Sequence, residues 1–139
     1  IEAFQKVITV GDPQDEVVIN AQGFISEYEG FIKEEYSLSL EQFLANNKIF
    51  DAAVALMDQG LFNEATVEFE KVLKVSPNHV QACGNLGICL RQLGKKELAL
   101  KAFDKALELD PDYELAINNR METEAMKEGE LPGSKSSIV

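Results

Sequence analysis

Residues 46–79 read NNKIFDAAVALMDQGLFNEATVEFEKVLKVSPNH, and residues 80–113 read VQACGNLGICLRQLGKKELALKAFDKALELDPDY. The two stretches have the same length and align without a gap, so position 80 corresponds to position 46. We call the separation between two such corresponding positions the repeat period. A self-similar period of this length is the mark of a repeat protein built from stacked supersecondary units. The positions with the same residue in both stretches are Leu56 and Leu90, Gly60 and Gly94, Ala65 and Ala99, Phe69 and Phe103, Lys71 and Lys105, Leu73 and Leu107, and Pro77 and Pro111.

Each of these two units predicts two helices joined by a tight turn. The repeated glycine suits that turn because it adopts the left-handed conformation without strain. The repeated alanine lets the second helix approach the first closely, and the repeated phenylalanine fills the space between them. The repeated proline ends the second helix. Because the chain shows no alternating β-branched run bounded by turn residues, it is predicted to be all-α.

These positions resemble the tetratricopeptide repeat family, whose units have about 34 residues with small and bulky residues at fixed places. The resemblance implies a right-handed α-α superhelix. The matching residues of the first unit are Ile49, Ala52, Ala53, Leu56, Ala65, Phe69, Val72 and Pro77, and those of the second are Cys83, Leu86, Gly87, Leu90, Ala99, Phe103, Ala106 and Pro111.

The repeat pattern has definite limits. A third unit fails, since Arg120 and Met121 fall where Leu and a small residue are expected and Gly133 comes too late for the turn. Residues 114–128 are therefore predicted to be a capping helix of the kind such arrays need. The predicted domains are an N-terminal helical extension (1–45), a repeat domain (46–128, with repeats 46–79 and 80–113) and a flexible tail (129–139).

The N-terminal extension is predicted to hold a short helix over residues 2–10 and a longer one that opens at Asp12-Pro13, with its far end weakened by glycines. Ser39 and Gln42 form the pattern of a capping box. The helix that starts there runs to Gly60, so it is either unusually long or bent near Asn46.

Composition excludes several classes of function. Thirteen basic against 24 acidic side chains give a net charge of −11, which repels phosphate backbones and disfavours nucleic acid as a partner. No apolar run approaches the length that crosses a bilayer, so membrane insertion is not expected. Cys83 and Cys89 are six residues apart on one helix, which points them to different faces and prevents a disulfide. Reduced thiols favour a cytoplasmic location.

The family resemblance implies a concave groove lined by the first helix of each unit. Its ligand-contacting positions correspond here to Asn47, Phe50, Asp51, Val54, Met57, Gln81, Gly84, Asn85, Ile88 and Arg91, joined by Leu115, Asn118 and Asn119 of the capping helix. Apolar anchors beside amide donors suit an extended or helical peptide. We call the following nine predicted partner-binding residues the groove face: Asn47, Phe50, Val54, Met57, Gln81, Asn85, Ile88, Arg91 and Asn118.

Two alternatives qualify this assignment. Phe50 and Val54 could instead pack beneath the N-terminal helix as core residues. A sub-class of the family clamps the C-terminal carboxylate of chaperone tails with Lys and Asn side chains, but Phe50 and Val54 stand where the first unit would need them. The groove is therefore not expected to be a carboxylate clamp of that type.

The sequence contains no group of residues with the pattern of a catalytic site. His79, the sole histidine, follows a Pro-Asn turn and is expected to be solvated, with no acid or base at a telling spacing. The two cysteines lack the further ligands of a metal site, and no glycine-rich phosphate loop is present. Neither an enzyme nor a cofactor or metal is expected.

The sequence thus favours a non-enzymatic scaffold that binds a peptide or partner protein in its groove. An alternative from another class is the regulatory or docking portion of a larger enzyme whose catalytic domain is not in this chain. A homo-dimer formed through the acidic N-terminal helices is a further hypothesis.

Overall fold

The computed structural model describes the backbone of residues 16–132 and the side chains of residues 21–132. Within that range the chain forms only helices and turns, which confirms the all-α prediction. The helix predicted over residues 2–10 and the helix start predicted at Asp12 lie outside the described residues. The helices are α1 (Glu16–Tyr36), α2 (Leu40–Asp58), α3 (Phe62–Val75), α4 (Val80–Gln92), α5 (Lys96–Leu109) and α6 (Glu114–Glu124).

The chain divides into two compact units between Ala45 and Asn46. The N-terminal unit contains α1 and the first residues of α2. Helix α1 continues through Gly23 and Gly30 without a break. A Cβ added at either glycine would have nothing within 4 Å of it. It buries Ala21, Ile25 and Ile32 on one side.

The predicted capping box at the start of α2 is confirmed. The Ser39 backbone N–H donates to Gln42 Oε1 at 2.9 Å, and the Gln42 N–H donates to Ser39 Oγ at 3.1 Å. Each side chain therefore satisfies a backbone donor that the first turn of a helix leaves free. From this cap α2 continues as one helix of 19 residues to Asp58, as the alternative of an unusually long helix predicted.

The second unit repeats itself in backbone as it does in sequence. Helices α3 and α5 each have 14 residues. Their first residues are separated by one repeat period, as are the first residues of α4 and α6. The turns before α3 and α5 contain Gly60 and Gly94, which have positive φ angles of 79° and 74°. The left-handed conformation that the sequence predicted for these glycines is therefore present in both turns.

Two similar apolar clusters form the core of the second unit. The first contains Ala53, Ala65, Phe69, Val72, Ala82 and Cys89, and the second contains Cys83, Leu90, Ala99, Phe103, Ala106 and Ala116. Phe69 and Phe103 are fully buried, as expected of the residue that fills the space between helices. A Cβ on Gly87 would lie 2.6 Å from Phe103 Cε1, so α4 and α5 can pack this closely only because Gly87 has no side chain.

Asn46 joins the start of the first repeat to the end of its second helix. Its side chain is buried, and its Nδ2 donates to the Val72 carbonyl at 3.3 Å and to Ser76 Oγ at 3.2 Å. The Val72 carbonyl also accepts the Ser76 N–H at 2.8 Å, so Asn46 adds a second hydrogen bond at the C-terminus of α3. Asn46 is thus a structural residue of the repeat.

The capping helix is shorter than predicted. It ends at Glu124 and not at residue 128, and the following residues turn back to the α4–α5 connection. There the Gly129 N–H donates to the Gly94 carbonyl at 2.8 Å, and Glu128 Oε2 accepts from the Glu97 N–H at 3.2 Å. Gly129 therefore serves this connection, and residues 133–139 of the predicted tail lie outside the described range.

Both cysteines are free and buried, as the disulfide argument required. Burial raises the pKa of the Cys89 thiol to about 11, so the reactive thiolate is disfavoured there. Among residues 16–132 no helix combines the length and the apolar character needed to cross a membrane.

Candidate functional site

The groove face is carried by three helices that stand one repeat apart, α2, α4 and α6. Asn47, Phe50, Val54 and Met57 recur at three- and four-residue steps on α2, so they share one side of that helix. The same spacing places Gln81, Asn85, Ile88 and Arg91 together on α4, and Asn118 belongs to α6.

The apolar residues of the groove face are half-buried. Phe50, Val54 and Met57 pack against the first core cluster, and Ile88 packs against the second. Each therefore has a structural role on its inner side and an accessible surface on its outer side. The cluster that Phe50 and Val54 contact contains Ala53 of α2 and residues of α3 and α4. That they also pack beneath the N-terminal helix stays a prediction.

Phe50 is fixed by two aromatic contacts. Its ring meets the buried ring of Phe69 edge to face, with centroids 5.8 Å apart, and stacks on the imidazole of His79 at 4.7 Å. Stacked and edge-to-face pairs at these distances are favourable beyond the area that they bury. Phe50 is accordingly held as a rigid apolar platform.

His79 is not the solvated turn residue that the sequence suggested. Its side chain is half-buried, and its Nδ1 accepts the Ala82 N–H at 3.1 Å, which makes His79 the N-cap of α4. Burial lowers the pKa of His79 below its ordinary value of 6.5. A neutral ring with an unprotonated Nδ1 is the form that can accept this bond, because a protonated Nδ1 is a donor.

The equivalent place in the second repeat is built from different residues. Phe50 corresponds to Gly84 and His79 corresponds to Tyr113, each one repeat period later. A Cβ on Gly84 would lie 2.9 Å from Tyr113 Cε2, so the tyrosine ring covers the backbone of α4 there. The aromatic surface that Phe50 contributes to α2 is thus supplied beside α4 by Tyr113.

The polar residues of the groove face differ in their environment. Gln81 and Asn118 are exposed, and Asn47 and Asn85 are half-buried. No hydrogen bond joins any of these four side chains to another residue of the described range. Their amides are therefore available to donate to and accept from an external peptide backbone.

Arg91 is the one charged residue of the groove face, and its side chain already contacts other residues of the chain. Its Nη2 pairs with Glu122 Oε2 at 3.0 Å, its Nη1 donates to Asn119 Oδ1 at 3.2 Å, and its Nε lies 3.4 Å from the sulfur of Met126. The Arg91 side chain is only 18% exposed. All three partners belong to α6 or the turn after it, so Arg91 links α4 to the capping helix.

Sequence reasoning missed three residues of this site, His79, Tyr113 and Glu122. The first two could have been found by pairing substitutions across the repeat period, because the residue pair changes as a unit from one repeat to the next. Glu122 follows Asn118 by one helical turn, which places both on one side of α6. Its pairing with Arg91, however, depends on how α4 and α6 pack, and the sequence pattern does not contain that information.

The N-terminal unit has an open depression of its own, with a volume of about 440 Å³. It is lined by Glu29, Lys33 and the residues from 37 to 41. It contains no residue of the groove face, and its mixed charges mark it as a surface hollow beside the α1–α2 turn. We therefore assign the candidate site to the second unit.

This architecture is that of a helical repeat protein. Its paired helices recur with a constant period, approach closely at Ala and Gly, and enclose a buried Phe in each unit. Comparison with known families identifies the repeats: residues 49–79 and residues 80–113 each match the tetratricopeptide repeat. The segment from residue 49 to residue 113 therefore belongs to the tetratricopeptide repeat family. Repeats of this family are typically protein-interaction modules, which supports a role of this segment in protein–protein interaction.

One relative with a curated description is the peroxisomal targeting signal receptor of Yarrowia lipolytica. The two sequences are 32% identical over 79 residues, which is 56% of this chain and 13% of the relative. The match thus spans about an eighth of the relative's length.

Proposed function

We propose that the second unit is a non-enzymatic module that binds a peptide, or an extended segment of a partner protein, along the groove face. The observation that carries this proposal is the combination of half-buried apolar side chains with unbonded amides on α2, α4 and α6. Apolar side chains give a ligand area to bury, and the amides can bond its backbone.

The rigidity of the apolar residues supports the same function. Phe50 is held by Phe69 and His79, and Tyr113 lies against Gly84. Because these rings are already fixed by the fold, little side-chain entropy is lost when a ligand contacts them. A preformed apolar surface is what a peptide-binding site requires.

Other properties of the chain agree with a protein ligand in a reducing compartment. The net charge of −11 opposes binding to nucleic acid. Cys83 and Cys89 are buried free thiols, which favours the cytoplasm. The name of the fungal receptor is consistent with recognition of a peptide signal, and we propose only the class of ligand, a peptide.

The proposal is tested by selecting displayed random peptides on the purified chain and measuring their binding to variants. Variants of Phe50 are unsuitable because its ring supports the core. Asn85→Arg and Asn118→Arg place bulk and charge on the groove face, where the wild-type side chains make no bond. Asn63→Arg, at an exposed position of α3, is the matched control.

We expect selected peptides to lose at least tenfold in affinity to the groove-face variants and to bind the Asn63→Arg control as they bind wild type. Circular dichroism and thermal unfolding establish that all three variants remain folded. Peptides that bind the groove-face variants and the control equally well would show that the ligand site lies elsewhere.

A further inference from the structure

More carboxylates than cations lie along the groove face, and the two kinds of group differ in whether they are available to a ligand. Three carboxylates follow groove-face residues by one helical turn: Asp51 follows Asn47, Asp58 follows Val54, and Glu122 follows Asn118. Residues four apart lie on the same side of a helix. The groove face itself contains one cation, Arg91.

Arg91 is not free to recognise an anionic ligand. Its guanidinium has a carboxylate, an amide oxygen and a thioether sulfur around it, from Glu122, Asn119 and Met126. A ligand carboxylate would have to displace Glu122 and leave that carboxylate beside it. The fold has therefore neutralised the one group that could attract an acidic residue or a chain terminus.

The carboxylates of α2 are available. Asp51 and Asp58 are exposed, and neither has an ion pair or a hydrogen bond to another described side chain. Glu122 has its side chain 61% exposed although it pairs with Arg91. The charge that a ligand meets along the groove face is therefore negative.

We infer that the ligand is an extended peptide with apolar side chains and at least one lysine or arginine, and without a carboxylate in the groove. This inference rests on the proposed function and adds the chemistry of the ligand. The apolar side chains contact Phe50, Val54, Met57 and Ile88, and the basic side chain pairs with the carboxylates that border them. A ligand with a glutamate in the same place meets only repulsion.

The test uses synthetic octapeptide pools that are acetylated at the N-terminus and amidated at the C-terminus. Seven positions are mixtures of Leu, Ile, Val, Met, Phe, Ser and Gln, and the fifth position is Lys, Gln or Glu. A fourth pool has Gln at the fifth position and a free C-terminal carboxylate in place of the amide. Binding of each fluorescent pool to the intact chain is measured by polarisation at low and at physiological ionic strength.

We expect the Lys pool to bind best and the Glu and free-carboxylate pools to bind worst. One exposed ion pair is worth about a two- to fivefold difference in affinity, and the difference shrinks as salt is added. The Asp51→Asn/Asp58→Asn variant should reduce the preference for Lys over Gln to less than about half of its wild-type value. Glu70→Gln, an exposed carboxylate on α3, is the control and should leave the preference unchanged.

Glu122→Gln gives a second, opposite readout. It leaves Arg91 without its anionic partner, so the free-carboxylate pool should gain affinity. A residue with only a structural role would not improve the binding of one class of ligand.

The outcomes separate the two proposals. If the Glu or free-carboxylate pool binds wild type as well as the Lys pool does, the inferred ligand chemistry is wrong while peptide binding stands. If no pool binds, then peptide binding by the groove face is overturned, and the ligand chemistry with it.

Discussion

The imidazole of His79 stacks on the ring of Phe50, with centroids 4.7 Å apart and planes inclined by 28°. His79 is also the N-cap of α4 through Nδ1. One side chain therefore connects the start of a helix to an apolar residue of the groove face on another helix. We therefore expect the position of the Phe50 ring to respond to the protonation state of His79.

A pH titration should show this dependence. The folded protein has a lowered pKa for His79, so between that value and about 6.5 the unfolded chain binds more protons than the folded chain. The contribution of His79 to stability is therefore complete above about pH 6.5 and is lost as the pH falls through the folded pKa. Protonation also places a positive charge at a helix N-terminus, which is unfavourable.

The measurement is the free energy of unfolding between pH 5 and 7.5, together with the NMR signals of the Phe50 ring and the Ala82 amide. His79 is the only histidine, which makes the assignment of this window direct. His79→Asn is the control, because asparagine can cap the helix and does not titrate. Phe50 and Ala82 signals that do not change with the His79 titration would contradict the connection.

The size of the side chain that is tolerated at position 84 should depend on the residue at position 113. Gly84→Phe reproduces the residue of the first repeat but collides with the tyrosine ring, so it should destabilise the fold by about 1–3 kcal/mol. Adding Tyr113→His recreates the pair found at Phe50 and His79 and should restore part of that loss. Chemical denaturation of wild type, both single variants and the double variant gives the interaction energy, and additive effects would mean that the two positions are independent.

The sequence predicted the repeat because the positions that determine it are local and recur. Gly60, Ala65 and Phe69, with their counterparts one repeat period later, indicate turns and close contacts whatever lies around them. The end of the capping helix was predicted wrongly, at residue 128, because the structure ends α6 at Glu124. Gly129, with a positive φ of 84°, belongs to a turn that bonds Gly94, a contact between distant parts of the chain.

The candidate site was less predictable than the fold for a physical reason. Family positions indicate which residues lie on one side of α2 and α4, but not which of them the protein uses internally. Arg91 was predicted to be available to a ligand, a role that stays a proposal, and the structure shows that three groups of the chain already surround it. Such contacts depend on side-chain packing between helices, which periodicity does not encode.

The approach of α4 to α5 gives a prediction about core packing. Gly87→Ala puts a methyl group within 2.6–2.8 Å of three atoms of the buried Phe103 ring. We expect a net loss of about 1–3 kcal/mol in the free energy of unfolding, although alanine is the better helix former. Phe103→Leu should make room for this methyl group, so the double variant should lose less than the sum of the single losses. An increase in stability for Gly87→Ala alone would show that the ring can move aside.

The contact between the C-terminal turn and Gly94 can be tested by comparing alanine substitutions at Gly94 and at Gly60. Both have positive φ angles, so alanine at either position should cost about 1–2 kcal/mol in backbone strain. Only at Gly94 does the new Cβ also meet another segment, since it would lie 2.9 Å from the Gly129 carbonyl oxygen, whereas nothing lies within 4 Å at Gly60. Gly94→Ala should therefore destabilise the protein more than Gly60→Ala, as measured by urea unfolding, and should increase hydrogen exchange at the Gly129 amide.

Because that turn also supplies Met126 to Arg91, the α4–α6 contact should loosen in Gly94→Ala and not in Gly60→Ala. Equal losses of stability with unchanged exchange at Gly129 would show that the turn does not support the repeat.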